Sequence, residues 1–370
     1  MSAPASTVNS YARSIGQPRR LLLDPWIVGT VCALLLIGLI MVASASIGIS
    51  EKETGAAFHY FTRQLVYVAL GLVACGVGLA VPTRVWDEYS KYLLGGAFLL
   101  LVVVLIPGIG YEVNGSRRWI RLGFMNFQVS EATRVMLLMY VASYAVRRSD
   151  ELRSDFKSLM VPVGVLAAAA LLLLGEPDFG AATVLFATGL GVLFLAGARI
   201  VHLLVPVVAG SIGLAVLAVV SPYRLRRLTG FLDPWGDPFD SGFQLVQSLI
   251  AIGRGEWLGV GLGASVQKLF YLPEAHTDFV FAVLSEEFGF LGVTVVVALF
   301  ALLVTRALII SREAAQAGHA YQSYVAAAIG IWLGLQAFVN IGVNVGLLPT
   351  KGLTLPLLSY GGSSMLVTLA

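Results

Sequence analysis

The residues best suited to chemistry lie in one polar stretch, 221–287, between two apolar runs. It holds Arg224, Arg226 and Arg227, then Asp233-Pro234-Trp235, Arg254, Gln267-Lys268 and Glu274-Ala275-His276-Thr277-Asp278. A loop of this length and composition makes a site rather than a connector. Asp278 directly precedes the apolar residues Phe279-Val280-Phe281-Ala282-Val283-Leu284. One reading of it is an N-cap, accepting backbone N–H bonds at the positive end of a helix. The other is a part-desolvated carboxylate next to His276, suited to general-base work. The two roles are compatible.

Cations and glycines surround this carboxylate in sequence. Arg224, Arg226, Arg227, Arg254, Lys268 and Lys351 all fall near span ends on one side, where interfacial snorkelling is their ordinary fate. With Gly255, Gly259, Gly261 and Gly263 beside them, they also suit an anion, because glycine lets backbone N–H groups approach closely. A pyrophosphate-bearing lipid fits that pattern. A metal cage does not, because His59, His202 and His319 are scattered away from His276. A weakly held divalent cation, Mg or Mn, on carboxylates and phosphates stays open as a cofactor. Glu176-Pro177-Asp178-Phe179-Gly180 reads first as turn chemistry and second as support for a sugar, a cation or a proton. Asn340 and Asn344, four apart, read as interhelical glue. Pro349, Lys351-Gly352, Pro356 and the run Ser359-Tyr360-Gly361-Gly362-Ser363-Ser364 make a re-entrant segment. Such backbone is tolerated at membrane depth only where it is buried or lines a cavity. Residues 241–253 read as an amphipathic helix lying in the interface plane and tethering the loop.

The elements that must position these groups are membrane spans. Mean hydropathy is +0.85, with 58% hydrophobic and 12% charged residues in the 370. That composition excludes an ordinary soluble domain, which carries about 25% charged residues. The net charge of +3 gives no case for nucleic acid. Cys32 and Cys75 sit inside apolar runs and read as packing rather than as a disulfide. Apolar runs predict spans at 26–45, 64–81, 92–106, 131–145, 159–174, 181–196, 203–220, 288–305 and 324–346, with a tenth from 363 cut off at 370. The fold class is therefore an all-α polytopic membrane protein, about ten transmembrane helices with one large extracytoplasmic loop. Residues 1–24 form a polar inner tail rather than a cleavable signal, and 25–370 form a single helical domain. With the tail inside, inner segments collect twelve Lys and Arg and short outer segments six. This bias orients the chain with its N-terminus inside and its large loop outside. No Walker motif is present, so a reaction outside must be driven by the substrate itself.

Five blocks together resemble the SEDS family of shape, elongation, division and sporulation proteins. They are Met41-Val42-Ala43-Ser44-Ala45-Ser46, the 176–180 turn, Asp233-Pro234-Trp235, the 271–279 run and the 348–364 run. Pro349-Thr350-Lys351-Gly352 and Ser265-Val266-Gln267-Lys268 are similar to its division branch. The chain departs from the family at Val129 and Arg134, where Pro and Lys are usual, and at Glu176, where Gln is frequent. The resemblance implies the ten-helix SEDS fold and a glycosyltransferase that polymerises lipid II into peptidoglycan outside the cytoplasmic membrane. It implies as partners a class B penicillin-binding protein, the septal transpeptidase, with other division-site membrane proteins and membrane lipids. Asp278 matches the family's essential loop carboxylate. Arg224, Arg227, Lys268, Glu274, His276, Lys351 and Ser359 are then candidate substrate contacts, with Glu176 and Asp178 in support. Two rival expectations are a flippase for the lipid-linked precursor and a non-catalytic scaffold that activates a partner synthase.

Overall fold

The computed structural model describes residues 23–113, 115–123, 125–220, 230–240, 242–350 and 352–370. Its long helices follow the apolar runs. They are α1 (Pro25–Thr54), α2 (His59–Ala80), α4 (Ser90–Leu105), α5 (Val129–Arg147), α7 (Phe156–Gly175), α8 (Phe179–Leu195), α9 (Ile200–Val220), α11 (Val280–Gln316) and α12 (Ala320–Asn344). Short helices α3 (Thr83–Glu88), α6 (Ser149–Ser154), α10 (Phe243–Gly255) and α13 (Gly362–Leu369) complete the described set. Among the described residues, five helices are long and apolar enough to cross a membrane: α1, α2, α7, α11 and α12.

Helix α12 is central, packing on α11, α8 and α5. Helix α5 is polar for a span, yet Ser130, Glu131, Thr133 and Arg134 are all buried. Its polar face turns into the bundle, where Arg134 Nη1 donates to Glu131 Oε2 at 3.3 Å and to Gln336 Oε1 at 2.8 Å. Only a paired charge is tolerated in such a place.

Three features depart from the sequence reading. The first is a three-stranded antiparallel sheet, β1 (Gly110–Val113), β2 (Ser116–Arg121) and β3 (Asn126–Gln128), between α4 and α5. Strand β1 pairs antiparallel with β2, Val113 facing Ser116, and Gly115 lies at φ +76°. The helical class stands, with this small sheet added to it.

The second is the start of α11, at Val280 rather than 288. Residues from Val280 to Glu287 are buried helix, and the backbone breaks at Gly289, φ +62° and ψ −160°. A break strands polar backbone groups. Here the loop after α10 satisfies them. Phe290 and Leu291 N–H donate to the carbonyls of Glu256 (2.9 Å) and Trp257 (3.2 Å), while Val260 and Gly261 N–H donate to those of Glu286 (2.9 Å) and Glu287 (3.1 Å).

The third concerns the glycines of that loop, read as room for an anion. Gly259 and Gly289 lie backbone to backbone: a Cβ on Gly259 would fall 2.1 Å from the Glu287 carbonyl oxygen, and one on Gly289 2.4 Å from the Gly259 nitrogen. The N–H groups of 259–261 are taken by Gly255, Glu286 and Glu287, so they fit the broken helix and do not face a ligand. Helix α10 also packs more than it tethers. Leu245, Val246, Ser248 and Ala251 are buried, and Ser248 Oγ donates to the Asn344 carbonyl at 2.8 Å.

Candidate active site

Asp278 sits at the end of a tight turn. The Glu274 carbonyl accepts from Thr277 N–H and from Phe279 N–H, each at 3.2 Å. Glu274 itself adopts φ +55°, and its Oε2 accepts from Thr277 Oγ1 at 2.7 Å. The N-cap reading of Asp278 is corrected by geometry. Phe279 occupies the cap position without a side-chain cap bond, and the Ala282 N–H in the first turn bonds Asn344 Oδ1 at 3.2 Å. One N–H of the first turn of α11 is thus held from α12 as well as by the Phe279 carbonyl, and the half-buried Asp278 stands one residue before the cap position. It faces Gly352, where a Cβ would come within 3.1 Å of Oδ2. The Asp278 carbonyl accepts from Asn340 Nδ2 (2.9 Å) and Asn344 Nδ2 (3.2 Å).

His276 is buried between aromatic rings, 4.9 Å from Tyr60 and 5.5 Å from Tyr360 by ring centroids. Its carbonyl accepts the Tyr360 N–H at 2.9 Å. Burial holds the imidazole below its usual range, so it is neutral at pH 7 and adds no positive charge beside Asp278. Ser359 lies in the same wall. Its Oγ accepts Leu355 N–H at 2.8 Å, and its carbonyl accepts Gln64 Nε2 at 3.1 Å. Asn340 Nδ2 also holds the Leu353 carbonyl at 2.6 Å, and Gln336 Nε2 that of Thr354 at 3.1 Å. The irregular 353–361 segment therefore sits inside the bundle with side-chain amides in place of a helical ladder, as re-entrant backbone requires.

Lys268 occupies a different pocket. Its Nζ donates to Glu287 Oε1 at 2.7 Å and to Ser44 Oγ at 2.8 Å, and Ser44 Oγ in turn contacts both Glu287 oxygens. Next to it, Glu286 accepts from Arg254, from Ser265 Oγ and from the Val266 and Gln267 N–H groups. Two consecutive glutamates of α11 thus bind the loop down through its cations. Arg224, Arg227 and Lys351 lie outside the described residues. No group of three His, Cys, Asp or Glu able to hold a metal ion comes together among the described residues. A divalent cation here would take most of its ligands from substrate phosphates.

The 176–178 turn forms a third cluster, strapped by the sheet. Arg118 of β2 donates to the carbonyls of Glu176 (3.1 Å) and Pro177 (2.9 Å) and lies 3.9 Å from Asp178 Oδ2. Asp178 caps α8 through Ala181 N–H at 3.0 Å and also accepts from Ser130 Oγ. The Glu176 carboxyl is fully buried with neither oxygen hydrogen-bonded. Burial first, then the Asp178 charge, push it up to about 8, against the pull of Arg118. The folded chain thus keeps a proton that the unfolded chain releases, so stability falls as pH rises from the usual carboxylate range to about 8. Glu176→Gln is always neutral. Its melting temperature should stay level between about pH 5 and 8, where that of the parent declines.

Sequence reasoning did not single out Arg118, Gln64, Gln336, Ser44, Glu286 or Glu287. For Gln336 the signal was its place one turn before Asn340 and Asn344. For Glu286 and Glu287 there was no local signal, because their partners are distant in sequence.

A family model described as cell cycle protein, FtsW/RodA/SpoVE, matches residues 25–370. The chain belongs to the FtsW/RodA/SpoVE family. A probable peptidoglycan glycosyltransferase FtsW from Thioalkalivibrio sulfidiphilus is 55% identical over 348 residues, 94% of this chain and 87% of that protein. One of the same name from Coxiella burnetii is 54% identical over 346 residues, covering 93% and 92%. Among solved structures, a chain from work on the structural coordination of polymerization and crosslinking by a peptidoglycan synthase complex superposes with TM-score 0.75 at 32% identity, covering 94% of both chains. The Thermus thermophilus rod shape determining protein RodA superposes with TM-score 0.70 at 29% identity, covering 95% of both. As a member of the FtsW/RodA/SpoVE family, the chain has the SEDS architecture that its sequence blocks resemble.

Proposed function

We infer that this chain is a peptidoglycan glycosyltransferase of the FtsW type, which polymerises lipid II into glycan strands during cell division. The names of its full-length relatives support the activity. The observation that carries the site is Asp278, a carboxylate whose own backbone carbonyl is gripped by two amides of α12. In this reading Asp278 takes the proton from the 4-hydroxyl of the acceptor sugar. That oxygen attacks the anomeric carbon of the donor with inversion, and the bond to the pyrophosphate breaks. The leaving group keeps the electron pair, with Arg224, Arg227 and Lys351 as its cationic clamp. Glu274, His276 and Ser359 shape the wall around the base. Lys268, neutralised by Glu287, anchors the loop.

The same reading places the N-terminus in the cytoplasm and the Asp278 loop outside the membrane, at the division septum. It gives the enzyme a class B penicillin-binding protein of the FtsI type as partner. The direct test is glycan polymerisation from purified lipid II, followed by gel, with the full chain and a partner blocked at its own transpeptidase site. Polymer supports the reading, and its absence with folded protein sinks it. The buried charges Glu131, Arg134 and Asp178 also suit a flippase. Vesicles loaded with labelled lipid II separate the two, because only a flippase changes the leaflet of the label.

A further inference from the structure

We infer that Gln336, Asn340 and Asn344 form an amide ladder on α12 that positions the Asp278 carboxylate against the 352–354 segment. This rests on the reading of Asp278 as the general base, and it makes the three amides positioning residues for that base.

The three side chains recur every fourth residue and so share one face of α12. They are 1%, 2% and 0% exposed. Buried amides are costly unless bonded, so where their hydrogens go is informative. Glue between spans would join helix to helix. Here the N–H bonds go mostly to backbone that is not helical: Gln336 to Thr354 O, Asn340 to Leu353 O and Asp278 O, and Asn344 to Asp278 O. Asn344 Nδ2 also donates within the helix, to the Asn340 carbonyl at 2.9 Å and to Asn340 Oδ1 at 3.4 Å.

Two amides converging on one carbonyl fix the backbone of residue 278, leaving its carboxylate only side-chain torsions to vary. Asn340 bonds Asp278 and Leu353 with the same nitrogen, so it sets the distance between the two segments. Gly352, against which the carboxylate rests, lies next to Leu353. The acceptor ends hold the ladder in turn. Gln336 Oε1 receives Arg134 Nη1 (2.8 Å) and Trp332 Nε1 (2.7 Å), and Asn344 Oδ1 receives the Ala282 N–H. A base displaced by a fraction of an ångström still meets substrate in a bound complex but transfers the proton poorly.

The test uses the full chain and purified lipid II. Asn340→Leu keeps the branched outline of the side chain at a somewhat larger volume and removes both donated bonds, together with the Oδ1 that accepts from Asn344. Gln336→Glu keeps an acceptor for Arg134 and Trp332, replaces the N–H that bonds Thr354 by a carboxylate oxygen and adds a negative charge beside Arg134, and it serves if the first variant unfolds. The expected result is a fall in kcat of roughly ten- to a hundredfold for Asn340→Leu, smaller for Gln336→Glu. KM should stay within about twofold, and the acid limb of the pH–rate profile should move, which lost packing alone would not cause. Folded variants with unchanged kcat and pH profile, or with a change in KM alone, overturn the ladder. An active Asp278→Asn overturns the reading of the base itself. An inactive Asp278→Asn beside unaffected ladder variants overturns only this inference.

Discussion

Asp278→Asn should lose glycan polymerisation while still binding lipid II. Asparagine keeps the size of the side chain and the backbone carbonyl that Asn340 and Asn344 grip, so the turn and the start of α11 stay in place. The oxygen that accepts a proton is lost. General-base help contributes roughly 10²–10⁴-fold, and the whole loss should appear in kcat, because lipid binding relies on other groups. Gel analysis of polymer from matched amounts of folded parent and variant reads this directly. Equal polymer from both would remove Asp278 from the chemistry, and weaker lipid binding at unchanged kcat would recast it as a binding group.

The largest effect on stability is expected at Lys268. Its side chain is 10% exposed and that of its partner Glu287 not at all, so the pair is shielded from solvent. Lys268→Met leaves the Glu287 carboxylate with only the Ser44 hydroxyl. Breaking a buried pair in this way costs about 3–5 kcal/mol, whereas replacing both partners by apolar residues is often nearly neutral. Thermal unfolding of Lys268→Met, Glu287→Leu and the double variant closes the cycle. Both single variants should melt well below the parent, with the double variant recovering much of the loss. A Lys268→Met protein that melts normally yet binds lipid II weakly would return this lysine to the pyrophosphate clamp.

These experiments also mark what the chain shows on its face. A carboxylate ahead of an apolar run marks no chemistry by itself, since Asp24, Asp155 and Asp178 cap helices from that position, but spans were legible because lipid leaves an uninterrupted apolar run. The start of α11 was not. Ser285-Glu286-Glu287 reads as the polar end of a loop, and it is helix only because Lys268 and Arg254 neutralise the glutamates from afar. The hairpin did carry a local sign, Asn114-Gly115 between segments of strand-forming residues, though a short one beside the apolar runs that flank it. Gly255 and Gly259 looked like part of an anion cradle because close approach to a phosphate and close approach to another backbone ask the same of a residue. Asn340 and Asn344 had the right spacing, but spacing does not name the acceptor.

The broken helix has a consequence for local opening. The amides of Phe290 and Leu291, in the longest helix among the described residues, are bonded to carbonyls of the loop at Glu256 and Trp257. Hydrogen exchange at those two positions therefore reports on the loop, because neither can release its proton to solvent until residues 256–261 lift away. Loop and helix open as one cooperative unit. A protease cutting there must first wait for the span to loosen, although the segment itself is coil.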